Sequence, residues 1–63
     1  AAIWGADGAL YTPDIGNATI RRVKDGQVET VAGQPKGTFV YPMDIAWMTD
    51  GRLIVADAGI KLE

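Results

Sequence analysis

The sequence contains no cysteine, no histidine and no serine. Without cysteine the chain forms no disulfide, and the redox compartment stays open. The missing side chains also exclude an internal Ser-His or Cys-His nucleophilic site and any histidine-ligated metal centre. The composition therefore excludes several of the commonest types of catalytic site.

Length and charge restrict the partners further. The chain has 63 residues, so it is one small domain at most, and a chain of this size buries only about 60% of its unfolded surface. Its formal net charge is −2, and no apolar run approaches the roughly 20 residues of a membrane span. We therefore expect neither nucleic acid nor a membrane as a partner.

The chain contains an internal repeat with an offset of 43 residues. Each copy has the pattern of a turn, a short apolar strand and a second turn. A period of about 40–50 residues is typical of stacked repeat units, including β-propeller blades. The identities at this offset are Trp4 with Trp47, Asp7 with Asp50, Gly8 with Gly51, Leu10 with Leu53, Asp14 with Asp57 and Gly16 with Gly59.

Turn residues separate short strands along the whole chain. Asp-Gly pairs favour tight hairpins, and no segment has helical periodicity, so the predicted fold class is all-β. We predict strands at 1–4, 9–12, 19–24 and 27–32 that form one antiparallel sheet, then a loop, then strands at 44–48 and 53–56. The units are thus a four-stranded one at 1–32, a loop at 33–43, and half of a second unit at 44–61. The chain begins with Ala1, and residues 62–63 (Leu-Glu) are typical of a cloning scar, so we expect an excised fragment.

The order of these motifs resembles the NHL-repeat β-propeller family. The resemblance covers about one and a half blades, and gluconolactonase-like, senescence-marker-type and strictosidine-synthase-like propellers share almost the same blade motif. The chain departs from the pattern at Trp4, Pro13, Asp44 and Trp47. The stretches that carry the resemblance are Val31-Ala32-Gly33, Tyr41-Pro42-Met43-Asp44-Ile45-Ala46, Asp50-Gly51-Arg52-Leu53-Ile54-Val55-Ala56-Asp57-Ala58-Gly59 and Asp14-Ile15-Gly16-Asn17-Ala18-Thr19-Ile20-Arg21.

The resemblance implies a four-stranded antiparallel propeller blade followed by the first two strands of the next blade. It implies a non-catalytic fragment of an interaction or ligand-binding scaffold, with no cofactor. The alternative is a fragment of a calcium-dependent lactonase-like hydrolytic propeller, in which an Asp near the end of the second strand ligates a metal ion. In that alternative, calcium is the cofactor and Asp14, Asn17 and Asp57 are the candidate ligands.

The same three residues have a simpler interpretation as turn residues. An Asp after a strand can accept hydrogen bonds from the backbone of its turn, and a Gly-Asn pair often occupies a positive-φ position. The Asp recurs in both units, as a residue that ends the same strand in each repeat does. We therefore favour this interpretation for Asp14, Asn17 and Asp57. Asp7, Asp25 and Asp50 each precede Gly and are also assigned to turns, without chemistry.

Basic and aromatic residues complete the set of candidates. On a strand, Arg21 lies on one face and Arg22 and Lys24 lie on the other, which favours a solvated strand with Glu29 nearby over an anion site. Trp4 and Trp47 are equivalent by the repeat. Rings that stack on a ligand are one interpretation of the pair, and side chains that fill the space between neighbouring units are the one we favour.

The second unit predicts a partner. Leu53 to Ala56 is apolar and uncharged, and it lacks the neighbour that a third strand would supply. An unpaired edge of this kind is a template for another chain. We expect a homo-oligomer in which two copies pair these edges, or the remaining chains of a parent propeller at the same edge.

Overall fold

The computed structural model describes residues 1–59, which form two antiparallel β-sheets, so the all-β prediction is confirmed. The predicted scar at 62–63 and the predicted end of the second unit at 60–61 lie outside the described residues. Within residues 1–59 no helix has the length and hydropathy needed to cross a membrane. The strands are β1 (Ile3–Trp4), β2 (Leu10–Asp14), β3 (Thr19–Lys24), β4 (Gln27–Ala32), β5 (Pro42–Trp47) and β6 (Leu53–Asp57), with a short 3-10 helix, Ile15–Asn17, between β2 and β3.

The first sheet has the strand order β1-β2-β3-β4, as predicted. The strands β3 and β4 have the predicted bounds. The strand β1 begins at Ile3, two residues later than predicted, and β2 begins one residue later and runs two residues further than predicted, through Pro13 to Asp14. Proline lacks the N–H that a central strand would donate. Pro13 is tolerated because β1 pairs with β2 only as far as Tyr11, so β2 is an edge strand at Pro13 within the part of the chain that the structure describes.

The hairpin between β3 and β4 turns on two residues with positive φ. Asp25 has φ 52° and Gly26 has φ 77°. This combination is the two-residue turn whose twist matches that of the flanking strands, and it confirms the predicted Asp-Gly hairpin.

The second sheet consists of β5 and β6, and it repeats the geometry of β1 and β2. The strand β5 begins at Pro42, two residues earlier than predicted, with a bulge between Pro42 and Asp44. Trp47 pairs with Leu53 as Trp4 pairs with Leu10. The turns match as well, with the bonds Gly5 N to Ala9 O, Gly8 N to Gly5 O and Ala9 N to Asp7 Oδ1 recurring as Met48 N to Arg52 O, Gly51 N to Met48 O and Arg52 N to Asp50 Oδ1.

Register assigns the side chains of each sheet to two faces, because paired residues project to the same side. In the first sheet, the inner face meets the second sheet and the outer face points away from it. In the second sheet, the near face meets the first sheet and the far face points away. The inner face carries Ile3, Tyr11, Pro13, Ile20 and Arg22. The outer face carries the apolar residues Trp4, Leu10, Val23 and Val28 and the polar residues Thr12, Arg21 and Thr30. The near face carries Ile45, Trp47, Leu53 and Val55, and the far face carries Ala46, Ile54 and Ala56.

Trp47 joins the two sheets. Its ring lies edge-to-face against Tyr11, with the ring centroids 4.9 Å apart, and its Nε1–H donates to the carbonyl oxygen of Trp4 at 2.8 Å. The core is small. It consists of Ile20 from β3, Ala9 from the turn before β2, and Ile45 and Pro42 from β5.

The turn at Gly26 gives a stability prediction. An L-residue at φ 77° is strained by about 1–2 kcal/mol, so Gly26→Ala should lower the free energy of unfolding by roughly that amount. Gly16→Ala is the matched control, because a Cβ there has open surroundings and the backbone has no positive φ. Urea unfolding of both variants measures the difference, and equal midpoints would contradict the turn assignment.

The two tryptophans give a second prediction for dilute solution. Trp47→Ala removes the ring contact with Tyr11 and the hydrogen bond to Trp4, and should cost on the order of 2–3 kcal/mol of unfolding free energy. Trp4→Ala removes a side chain that is 70% exposed and should change stability by no more than about 0.5 kcal/mol. Thermal melts of the two variants compare them directly. A loss for Trp47→Ala no larger than that for Trp4→Ala would show that other contacts join the two sheets.

Candidate functional site

An open groove of about 540 Å³ lies where the turn ends of the two sheets meet. Two aromatic rings, those of Tyr11 and Trp47, form its apolar part, and the Asp7 carboxylate stands at its rim. The groove is lined by Ala6, Asp7, Tyr11, Trp47, Met48, Thr49 and Gly51.

The Asp7 carboxylate is the centre of a hydrogen-bonded network beside the groove. Its Oδ1 accepts the backbone N–H of Ala9 at 3.0 Å, which fixes the turn. Its Oδ2 accepts the Tyr11 hydroxyl at 2.8 Å and the Arg22 Nε–H at 2.9 Å. Tyr11 and Arg22 stand opposite each other in the pairing of β2 and β3, so the sheet register brings both to the same carboxylate.

Two further contacts extend this network along the turn. Arg22 also donates from its Nη1 to Glu29 at 3.0 Å, as the predicted pairing across the β3–β4 hairpin requires. The Lys24 ammonium donates to the backbone carbonyl of Asp7 at 2.6 Å. The two basic residues of this face are therefore held by acceptors of their own sheet. The solvated strand expected from sequence is not observed, because β3 lies between β2 and β4 and none of its residues is exposed.

The network shifts the ionisation of its members. The hydrogen bond from the Ala9 N–H, followed by those from Tyr11 and Arg22, holds the pKa of Asp7 well below its usual range. The hydrogen bond to Asp7 raises the pKa of Tyr11, and the same carboxylate raises that of Arg22. Near neutral pH, Tyr11 therefore keeps its proton and Asp7 remains charged. The arrangement fixes charges and donors in place, which suits binding and positioning better than proton transfer.

Asp14 lies at the opposite end of β2 and is held by side chains. Its Oδ2 accepts the Asn17 Nδ2–H at 2.8 Å and the Arg21 Nε–H at 3.1 Å, and these bonds, with that from Asn17 the larger cause, lower its pKa. Arg21 also donates to the Thr30 hydroxyl. The structure thus brings together two of the predicted site residues, Asp14 and Asn17.

The predicted positive-φ turn at Gly16-Asn17 is wrong in position. Both residues lie in the short 3-10 helix, and the left-handed residue is Ala18, with φ 53°. The Ala18 N–H closes the helix by donating to the Ile15 carbonyl at 3.1 Å. The left-handed turn therefore comes one residue later, after one complete 3-10 turn.

Asp57, the repeat equivalent of Asp14, has a different set of partners. Its Oδ1 accepts the N–H of Gly59 at 2.8 Å, which is the predicted turn bond, and that of Tyr41 at 3.0 Å. Its Oδ2 accepts the N–H of Val40 at 2.8 Å. Asp57 thereby ties the loop that precedes β5 to the end of β6, a structural role that the turn interpretation covers only in part.

These contacts bear on the metal alternative. In residues 1–59 no group of three or more carboxylates stands close enough together to hold a metal ion. Asp14 faces the Arg21 cation and the amide nitrogen of Asn17, and both are donors. Asp57 accepts backbone N–H groups from two segments. Hydrogen-bond donors of the protein therefore occupy both carboxylates that would have to bind Ca²⁺ in the lactonase alternative.

Sequence reasoning missed Asp7 and Tyr11 as site residues. Asp7 is a turn residue, as predicted, but its second carboxylate oxygen also joins the turn to β2 and β3. The available signal was the alternation of side chains: Tyr11 and Arg22 fall on one face once β2 and β3 are paired. The groove depends on the contact between the sheets, which no local motif encodes.

No family model matches the chain, and the searches of the curated proteins and of the solved structures found no match either.

The depressed pKa of Asp7 gives a pH prediction. A carboxyl group with a lower pKa in the folded state stabilises the fold above its unfolded pKa of about 4, and this contribution is lost as pH falls toward the folded value. Asp7→Asn should therefore lower the urea midpoint at neutral pH. The difference from the parent chain should shrink as the pH is lowered through and below about 4.

Asp25→Asn is the control for removing a carboxylate from an Asp-Gly turn, because Asn also adopts the left-handed conformation of Asp25 readily. It should leave the midpoint nearly unchanged at neutral pH. A constant difference between Asp7→Asn and the parent chain at every pH would contradict a charge-dependent role for Asp7.

Proposed function

We propose that the chain is a non-catalytic repeat unit of an NHL-type β-propeller and forms part of an interaction or ligand-binding scaffold. The observation that supports this proposal is the stacking of one repeat on the next. The second unit reproduces the strand register and the turn bonds of the first, and its near face packs on the inner face of the first.

The proposal fits the shapes of the two sheets. A propeller blade is a four-stranded antiparallel sheet, and blades are related by repetition around a common axis. The first sheet has four antiparallel strands in sequential order, and the second corresponds to the start of the next blade. In this interpretation, Trp47 fills the space between two blades, the role favoured for it from sequence.

A scaffold role is also consistent with the chemistry of the groove. The charges of Asp7 and Arg22 compensate each other, and Tyr11 is engaged as a donor. A groove with aromatic walls and a fixed polar rim can hold a ligand or a peptide segment without reacting with it. No contact in the described part of the chain favours the calcium-dependent lactonase alternative.

The test distinguishes the non-catalytic scaffold from the calcium-dependent lactonase. The purified chain is assayed against simple lactones with excess calcium, and it is melted with calcium and with a chelator. We expect no turnover above a blank and coincident melting curves, because a bound ion would stabilise the state that binds it. Turnover that Asp57→Ala abolishes, or a calcium-dependent rise in melting temperature that Asp14→Ala abolishes, would overturn the proposal.

A further inference from the structure

We propose that copies of this chain associate head to tail, with the outer face of the first sheet of one copy on the far face of the second sheet of another. The inference rests on the stacking of the proposed function and names the partner of that stacking as a second copy. The argument uses the contact that the chain already makes between its own two sheets.

The outer face carries an apolar row that crosses all four strands of the first sheet, beside a polar row of Thr12, Arg21 and Thr30. Trp4 pairs with Leu10, Leu10 with Val23, and Val23 with Val28, so the four side chains lie side by side. Trp4 is 70% exposed and Val28 is 64% exposed. Trp4 is the repeat equivalent of Trp47, the residue that joins the two sheets.

The far face offers a matching surface at the other end of the stack. A shallow depression of about 100 Å³ lies there, and the side chain of Ile54 beside it is 49% exposed. Ile54 is the repeat equivalent of Tyr11, the residue that receives the Trp47 ring. The depression is lined by the far-face residues Ala46, Ile54 and Ala56 and by Asp44 and Ile45 of β5.

The internal contact predicts the contact between copies residue by residue. Within the chain, the Trp47 ring lies on Tyr11 and its Nε1–H donates to the Trp4 carbonyl. Replacing each residue by its equivalent in the other repeat places the Trp4 ring of one copy on Ile54 of the next. The Trp4 Nε1–H then donates to the Trp47 carbonyl of that copy. Both backbones are suited to this contact, because the paired strands share one register.

A second copy is the occupant because one chain carries both halves of the interface on opposite sides. The outer face and the far face are separated by the two sheets, so a single copy cannot bring them together. Such a heterologous contact builds rings or open arrays, whereas pairing of two β6 edges would build a closed two-fold dimer. The two arrangements therefore respond differently to substitution.

Light scattering across a dilution series measures the association. The average mass of the parent chain should rise with concentration, and Trp4→Ala and Ile54→Asp should each abolish that rise. Tyr41→Ala is the matched control, because it removes an aromatic side chain that is also exposed but belongs to no strand. Far-UV circular dichroism and urea unfolding of each variant show whether it remains folded.

Mixing the two inactive variants tests the direction of the contact. The Trp4→Ala copy keeps an intact far face, and the Ile54→Asp copy keeps an intact outer face. An equimolar mixture should therefore form dimers and stop there, because only one good interface can form between two such copies.

Three outcomes would overturn the inference: a parent chain that stays monomeric at every concentration, variants that associate as the parent does, or a mixture that stays monomeric. Unchanged association of Trp4→Ala would point to the β6 edge. Lactone turnover would remove the proposed function instead and would leave the association measurement as it stands.

Discussion

The second sheet depends on the position of Trp47. A two-stranded hairpin is marginal in water, so β5 and β6 need a surface on which to bury one side. Trp47 meets that need in two ways: its ring covers Tyr11, and its N–H satisfies the Trp4 carbonyl at the adjacent strand. Ile45 lies on the same face of β5 and is buried in the core. The hydrogen bond matters for geometry, since it fixes which part of the first sheet the ring covers.

Local sequence was sufficient for most of the fold. Asp-Gly pairs and short apolar runs predicted the strand order of the first sheet and the bounds of β3 and β4, because tight turns determine which segments can pair. The predicted bounds were wrong at Pro13, which lies inside β2, at Pro42, which begins β5, and at β1, which is two residues shorter than predicted. The sequence rule treats proline as a breaker, but a residue with no partner on one side, or one beside a bulge, does not need the N–H that proline lacks.

The site was less predictable, because its residues meet through pairing and packing. Asp7 was assigned to a turn on sound local grounds, and the turn bond exists. Its contacts with Tyr11 and Arg22 require the register of β2 and β3, and the groove beside them requires the second sheet.

Residues that are equivalent in the repeat also differ in their partners. Asp14 is held by side chains, whereas Asp57 accepts backbone N–H groups from its own turn and from the preceding loop. The repeated motif therefore determines where a carboxylate lies, whereas the residues around the carboxylate determine which groups it binds.

The two tryptophans show how the surroundings act in a repeat. Trp4 and Trp47 have the same position in their strands and the same pairing partner, yet Trp4 is 70% exposed and Trp47 only 37%. The difference comes from the neighbour, because one face of the first sheet is covered and the other is open. In a stacked array, stability is approximately a sum of the units and of the interfaces between adjacent units. The proposed covering of the outer face by a second copy would leave the contact of Trp47 unchanged, because Trp47 lies against the opposite face of the first sheet.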